Sequence, residues 1–214
     1  MITFMCTSVP VWSRPIKDVS ENSGLTLGLD QIGRVNLMCA DVVAEVEDVL
    51  RSLRGVWDEE AVDELDHALQ AGRKAVVAGA DDELVVAAVL HDVGHSPLVG
   101  STTRHDDDAR AWLTPRFGDR VGWLAGSHVA AKKWLAAHDR SYAKELTATS
   151  VASLAEQGGA ADLGAEWTRH PWWPDAIALR RFDDAAKVPG AAALTIDEVV
   201  VVARRVLGVE RAGH

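Results

Sequence analysis

Apolar residues recur at intervals of three or four along most of the chain, the spacing of one face of an α-helix. Val42, Val46, Val49 and Leu53 belong to the first such stripe. The same spacing predicts helices over residues 35–53, 59–77, 84–93, 105–117, 120–137, 147–157, 172–187 and 196–207. No useful length of chain alternates apolar and polar residues as a strand would. We therefore predict an all-α, single-domain bundle of roughly eight helices.

The first 35 residues show no clear period and mix Pro, Ser and Gly with scattered apolar positions. We predict an irregular N-terminal arm over residues 1–35 and a helical bundle over residues 36–210. The start of the chain lacks a basic segment followed by a long apolar stretch, and no apolar run is long enough to cross a bilayer. We expect neither a secretory signal nor a membrane partner.

Composition and charge narrow the range of partners. The chain has 214 residues and a formal net charge of −10, which disfavours binding to nucleic acid or to an anionic membrane surface. Cys6 and Cys39 are too few for a disulfide framework, so we expect free thiols in a reducing cytoplasm. An anionic small substrate requires basic residues concentrated in one pocket.

Histidines and aspartates recur on the predicted helices. His91-Asp92 ends the most apolar helix, where a carboxylate is costly to bury unless a metal or another cation compensates it. His128 and Lys132 are four residues apart and share one helical face. Arg180, Asp183 and Lys187 share a face of a later helix. Imidazoles and carboxylates without thiolates suit iron, manganese or zinc.

The order His67…His91-Asp92…Asp183 resembles the HD superfamily of metal-dependent enzymes. A finer resemblance is to the HD-domain mixed-valent di-iron oxygenases, in particular their PhnZ/TmpB-like phosphonate-cleaving branch, which is related to myo-inositol oxygenase. It is carried by residues 66–70 (DHALQ), 90–95 (LHDVGH), 127–132 (SHVAAK), 150–159 (SVASLAEQGG) and 179–190 (LRRFDDAAKVPG).

The resemblance implies a dinuclear metal centre. Asp92 bridges the two metals and Asp183 completes the first of them, while Asp184 stays outside the ligand set. Two iron ions, Fe(II) and Fe(III), and dioxygen as co-substrate are implied with it. The implied metal ligands are His67, His91, Asp92, His105, His128 and Asp183.

The resemblance also implies how the substrate is held. His95, Lys132 and Arg180 correspond to the residues that bind the phosphonate, with Ser150 as a further hydrogen-bond donor. His95 and Lys132 are the implied catalytic residues beside the metals.

Two further substrate-binding positions lie before the first ligand. Glu60 stands where the family has a glutamate that recognises the substrate's amine. Trp57 stands where the family has a tyrosine that occupies a metal site until substrate arrives, and an indole offers only an N–H donor. We expect Trp57 to shape the distal pocket, the alternative being an aromatic residue of the core or rim.

The function that the resemblance implies is oxygen-dependent cleavage of the C–P bond of a 1-hydroxyphosphonate to phosphate and a carboxylic acid. Three alternatives stay open. A related di-iron oxygenase would act on a non-phosphonate hydroxylated substrate. An HD phosphohydrolase would activate water on a metal. A non-catalytic scaffold is disfavoured because all six implied metal ligands are present.

Overall fold

The computed structural model describes residues 29–58, 61–100 and 104–209, and for residues 29–38 and 40 it describes the backbone alone. The regular secondary structure within these ranges is helical, with no β-strand, which confirms the predicted all-α fold. A 3-10 turn, Val93–His95, follows the third helix. The helices are α1 (Leu29–Ser52), α2 (Glu64–Val77), α3 (Asp82–Leu90), α4 (His105–Phe117), α5 (Asp119–Gly126), α6 (His128–His138), α7 (Arg140–Glu145), α8 (Ala148–Glu156), α9 (Ala165–Thr168), α10 (Trp173–Asp184) and α11 (Ile196–Val206).

Two helices begin elsewhere than the apolar pattern suggested. Helix α1 starts at Leu29, so the last residues of the predicted arm are helical, and residues 1–28 lie outside the described part. Helix α2 starts at Glu64 because Asp63 caps it, with its side chain accepting a hydrogen bond from the Asp66 N–H. The backbone N–H of Gly55 also donates to the Asp63 carboxylate, which ties the end of the preceding loop to this cap.

The predicted helix over residues 120–137 is broken at Ser127. The Ser127 hydroxyl donates to the carbonyl of Trp123, and its N–H closes on Leu124 one residue short of the α-helical pattern. Helix α6 then starts afresh at His128. A hydroxyl that bonds to the preceding turn competes with regular helix geometry, and here the break sets the direction in which His128 points.

Helix α3 forms the centre of the bundle. All residues from Leu84 to Leu90 are buried, and the helix packs against α2, α5, α10 and α11. A helix that is apolar on every side belongs inside the protein. Consequently the His91-Asp92 pair at its end lies deep in the molecule. None of the helices in the described ranges combines the length and apolar character needed to cross a membrane.

Gly94 allows the turn after α3 to touch the start of α4. A Cβ atom on Gly94 would lie 2.2 Å from the carbonyl oxygen and 2.6 Å from the Cα of His105. Both are backbone atoms that cannot rotate away. The absence of a side chain at residue 94 therefore brings His105 next to the His91-Asp92 pair.

Gln70 joins α2 to the segment that follows α10. Its side-chain N–H donates to the carbonyl of Val188 at 2.9 Å, and its carbonyl accepts from the N–H of Val188 at 3.3 Å. One helical turn earlier, the Nδ1 atom of His67 lies 3.1 Å from the carbonyl of Ala186. These contacts hold α2 and α10 in register and explain why a histidine and a glutamine recur three residues apart in the motif.

We predict that Gly94→Ala destabilises the protein by about 1–3 kcal/mol, the usual cost of forcing extra volume into a packed interior. It should also weaken metal binding, because His105 must move. Denaturant unfolding and metal content per chain measure the two effects. Gly164→Ala is the matched control, since a Cβ there meets only the carboxylate end of exposed Glu166. Equal stability of the two variants would contradict the close approach.

Candidate metal centre and its cavity

Asp92 lies between two pairs of imidazoles. Its Oδ2 atom is 3.5 Å from Nε2 of His67 and 3.0 Å from Nε2 of His91. Its Oδ1 atom is 3.6 Å from Nε2 of His105 and 3.3 Å from Nε2 of His128. One carboxylate therefore faces two separate groups of nitrogen donors, one with each oxygen.

Asp183 completes the first group. Its carboxylate oxygens are 3.5 Å from Nε2 of His67 and 3.3 Å from Nε2 of His91. Donor atoms of His67, His91, Asp92 and Asp183 all lie within 4.8 Å of one another, which suits a single metal ion.

The second group of donors is less compact than the first. The Nε2 atoms of His105 and His128 are 3.0 Å apart on the other side of Asp92. Donor atoms of Asp92, His95 and His105 also lie within 4.8 Å of one another, and the His95 ring stacks on His105 with centroids 4.4 Å apart. His95 thus lies beside this group, where it can contact whatever binds there.

Backbone carbonyls set the orientation of three of these rings. The Nδ1 atoms of His67, His91 and His128 lie 3.1, 2.9 and 2.6 Å from the carbonyls of Ala186, Ala88 and Ala125. A carbonyl only accepts, so each Nδ1 must carry the hydrogen and each neutral ring presents the lone pair of Nε2 to the site. This arrangement is typical of histidines that bind metals.

Asp92 is paired with imidazoles and with no lysine or arginine of the described residues. Its buried Oδ1 atom has no hydrogen-bond partner there, whereas Asp183 is paired with Arg180. Burial opposes protonation of His91, but the charges of Asp92 and Asp183 outweigh it and hold the pKa of His91 well above its ordinary value. Such a site has a negative potential that a metal ion would neutralise.

The other imidazole pair stays neutral, as metal ligands must. Burial lowers the pKa of His128 to about 3, against the opposing charge of Asp92, and burial also lowers the pKa of His105. Neutral rings, a buried Asp92 oxygen without a hydrogen-bond partner and the position of Asp92 between the two imidazole pairs together fit two metal ions.

Three buried cations line one side of the site. Lys132 and Arg180 are 4% and 3% exposed, and the Lys187 side chain is 9% exposed. Lys132 donates to the hydroxyl of Ser153, and Lys187 donates to the hydroxyl of Ser150 at 2.9 Å. The basic cluster, defined as Lys132, Arg180 and Lys187, is the internal concentration of positive charge that an acidic protein needs to bind an anion.

Arg180 is also a neighbour of the metal ligands. Its Nη1 atom is 2.6 Å from Asp183 Oδ2, and its other nitrogens form a bidentate pair with Asp184. The guanidinium thus orients Asp183 and depends on Asp184 for its own position. The sequence motif identified Asp184 as lying outside the ligand set, and its contact with Arg180 is consistent with that.

A cavity of about 280 Å³ adjoins these groups. Lys132 and Arg180 share it with five of the six implied ligands and with His95. Its lining residues are Asp58, Glu64, His67, Asp92, His95, His105, His128, Val129, Lys132, Ser153, Glu156, Gln157, Arg180, Asp183 and Lys187.

Of the remaining implied substrate-binding residues, two are absent from the described lining of this cavity and one lies outside the described residues. Trp57 is 63% exposed and is absent from the described lining of the cavity. Ser150 is buried behind the wall, bonded to Lys187, while Ser153 one turn later faces the cavity. Glu60 lies outside the described residues.

The sequence analysis overlooked Glu64. It is 1% exposed, it lines the cavity, and its Oε2 atom is buried without a hydrogen-bond partner in the described structure. Burial and then the charge of Asp92 raise its pKa to about 9. Glu64 precedes His67 by three residues, so their shared helical face was the available signal. Asp58 lies at the rim of the same cavity.

Three proteins align with about three fifths of the chain. Hydroxymethylphosphonate dioxygenase of Gimesia maris is 35% identical over 144 residues, which cover 62% of this chain and 71% of that protein. The 1-hydroxy-2-(trimethylamino)ethylphosphonate dioxygenase (glycine-betaine-forming) of Leisingera caerulea is 33% identical over 138 residues, 60% and 70% of the two chains. An uncharacterized protein of Acanthamoeba polyphaga mimivirus is 26% identical over 141 residues, 60% and 64%. No family model matches the chain.

We predict that His105→Ala and His128→Ala each remove one metal ion per chain and leave the helical fold intact, because the first group keeps its own four ligands. Metal analysis beside circular dichroism tests this. His138→Ala is the control, since His138 stacks on Trp134 and pairs with Asp162 instead. Full metal content in both variants would reject a dinuclear centre.

Proposed function

Because the chain belongs to the family of the hydroxyphosphonate dioxygenases, we propose that it is an oxygenase that uses dioxygen to cleave the C–P bond of a 1-hydroxyphosphonate. The PhnZ/TmpB-like resemblance of the sequence motifs is confirmed by this membership. The observation that carries the proposal is Asp92 shared by two imidazole pairs, with a buried basic cluster on the wall of the same cavity. Asp92 with its imidazole pairs could bind two metal ions, and the basic cluster could bind an anion.

The proposed products are inorganic phosphate and a carboxylic acid. The reaction balances with one O2 per substrate: one oxygen atom enters the acid, the other enters phosphate, and the substrate carbon supplies the four electrons. An Fe(II)/Fe(III) pair held by the six ligands would supply the activation of dioxygen. His, Asp and an absence of thiolates suit iron, although the same set also suits zinc and manganese.

The protein's own part is to place and neutralise the phosphonate. Lys132 and Arg180 would donate charge-assisted hydrogen bonds to its oxygens, and Lys187 adds a third charge. His95 would contact the substrate from its position against His105. Burial, with the nearby charge of Arg180, lowers the pKa of Lys132 to about 8, so Lys132 is charged near neutral pH.

The cavity wall formed by Glu64 and Asp58 suits a cationic group on the second carbon of the substrate. Glu64 lies outside the 4.8 Å ligand groups yet faces the same cavity, so it is available to a bound molecule. Metal ions beside Asp92 would cancel the charge that raises the pKa of Glu64 and thereby favour its carboxylate form. This acidic wall would add to the role that the family resemblance gives to Glu60 in recognising the substrate's amine.

The central test is the reaction itself. Iron-loaded protein should consume dioxygen and release phosphate in equal amounts when it is given hydroxymethylphosphonate or 1-hydroxy-2-(trimethylamino)ethylphosphonate. Metal analysis and electron paramagnetic resonance identify the metals. Zinc or manganese in the site, with oxygen-independent release of phosphate from a phosphomonoester and none from the phosphonates, would support the phosphohydrolase alternative instead.

We predict that Lys132→Met weakens phosphonate binding by one to two decades, because a charge-assisted hydrogen bond contributes ~1.5–3 kcal/mol. Its metal content should stay unchanged, whereas Arg180→Ala should lose both affinity and metal because Arg180 orients Asp183.

For the wild type, kcat/KM should fall as pH rises through about 8, since Lys132 loses its proton there, and Lys132→Met should lack this step. The exposed Lys144→Met serves as control, and wild-type affinity in Lys132→Met would remove Lys132 from the site.

We further predict that Glu64→Gln, which keeps the shape of the side chain, lowers kcat/KM for the trimethylamino substrate by about tenfold or more. Turnover of hydroxymethylphosphonate should change little, because that substrate has no second carbon. The ratio of the two kcat/KM values is the measurement. An equal loss with both substrates would mean that Glu64 supports the metal centre and does not select the substrate.

A further inference from the structure

A second and larger cavity opens directly beside the site cavity. Its volume is about 750 Å³. The two cavities have four lining residues in common, so they adjoin at these side chains. We call the larger cavity the vestibule and the shared residues the neck. The neck consists of His105, Val129, Glu156 and Gln157.

Helix α6 forms a wall of both cavities. Lys132 lines the site cavity, while Ala130 and Lys133 line the vestibule, and Val129 lines both. Consecutive helix residues point about 100° apart, since a turn has 3.6 residues. Two adjacent lysines therefore present their charges to two adjoining cavities.

The vestibule is lined by equal numbers of cations and carboxylates: Arg104, Arg110 and Lys133 against Asp106, Asp107 and Glu156. Arg104 is held by Asp106 and Asp107. Arg110 and Lys133 form no ion pair with any residue of the described ranges, and both line the vestibule. Their charges are thus available to a passing anion, although the net charge of the chain is −10.

The loop after α8 places Gln157 at the neck. Gly158 and Gly159 have φ angles of +97° and +77°, which favour glycine and reverse the chain. Lys133 donates a hydrogen bond to the carbonyl of Gln157 at 3.0 Å. The Oε1 atom of Gln157 is buried without a partner in the described structure. This loop therefore fixes a polar side chain between the vestibule and the site.

We propose that the vestibule is the route by which the anionic substrate reaches the metal ligands, with Arg110 and Lys133 attracting the anion and the neck admitting it to Lys132 and Arg180. The inference rests on the proposed function, because it takes the phosphonate as the anion. Charges that line a cleft raise the rate of association more than they raise affinity.

The first experiment measures binding of hydroxymethylphosphonate without oxygen by stopped-flow tryptophan fluorescence, on metal-loaded protein. The double variant Arg110→Glu/Lys133→Glu should lower the association rate constant by about tenfold at low salt, with less effect at high salt. Arg140→Glu/Lys144→Glu changes the net charge equally on exposed α7 and should change that rate constant much less. Equal effects of the two double variants would overturn the steering role.

The second experiment narrows the route. Ala130 lines the vestibule but is absent from the described lining of the site cavity, so Ala130→Trp should obstruct passage and spare the binding site. Association and dissociation rate constants should fall by the same factor, leaving Kd and metal content as in the wild type. Unchanged rate constants would place the entrance elsewhere. Wild-type protein that binds neither phosphonate would reject the proposed function itself. Binding that is indifferent both to Arg110→Glu/Lys133→Glu and to Ala130→Trp would reject only the route.

Discussion

A largely buried carboxylate must be compensated by cations, and Asp92 imposes this requirement on the bundle. Residues Leu84 to Leu90 of helix α3 are all buried, and the Asp92 side chain that follows them is only 15% exposed. Each oxygen of Asp92 faces a pair of imidazole nitrogens whose opposite edge is largely fixed by backbone carbonyls. Neutral imidazoles cannot balance that charge alone, and two metal ions can.

The irregular features of the helices follow from this requirement. A continuous helix from Asp119 to His138 would rotate His128 differently relative to its neighbours, and the Ser127 hydroxyl interrupts it. A side chain at residue 94 would push His105 away from Asp92, and Gly94 avoids the collision. The donor atoms converge because of these two local features.

The periodicity of the sequence was sufficient to predict an all-α fold, because apolar residues that recur every 3.6 positions lie on one face only if the segment is helical. Helix ends were harder to predict, since they depend on single contacts such as the Asp63 cap. The motif order predicted residues that the structure brings together. The family resemblance gave Trp57 a place in the distal pocket, with an aromatic residue of the core or rim as the alternative, and its side chain is 63% exposed. Glu64 was missed because an acidic residue in the first turn of a helix is ordinary, and only its burial marks it as different.

The basic cluster and the metal ligands are parts of one electrostatic unit. Arg180 lines the cavity and contacts Asp183, so its charge is shared between an anion and a metal ligand. When two metal ions occupy the ligands, positive charge in the cavity exceeds negative charge, and a dianion restores the balance. Metal and anion should consequently bind with positive coupling, and linkage requires that coupling to be equal in both directions. A protein of net charge −10 can thus bind a phosphonate because the attraction arises inside the bundle, in a cavity where solvent and salt screen charges poorly.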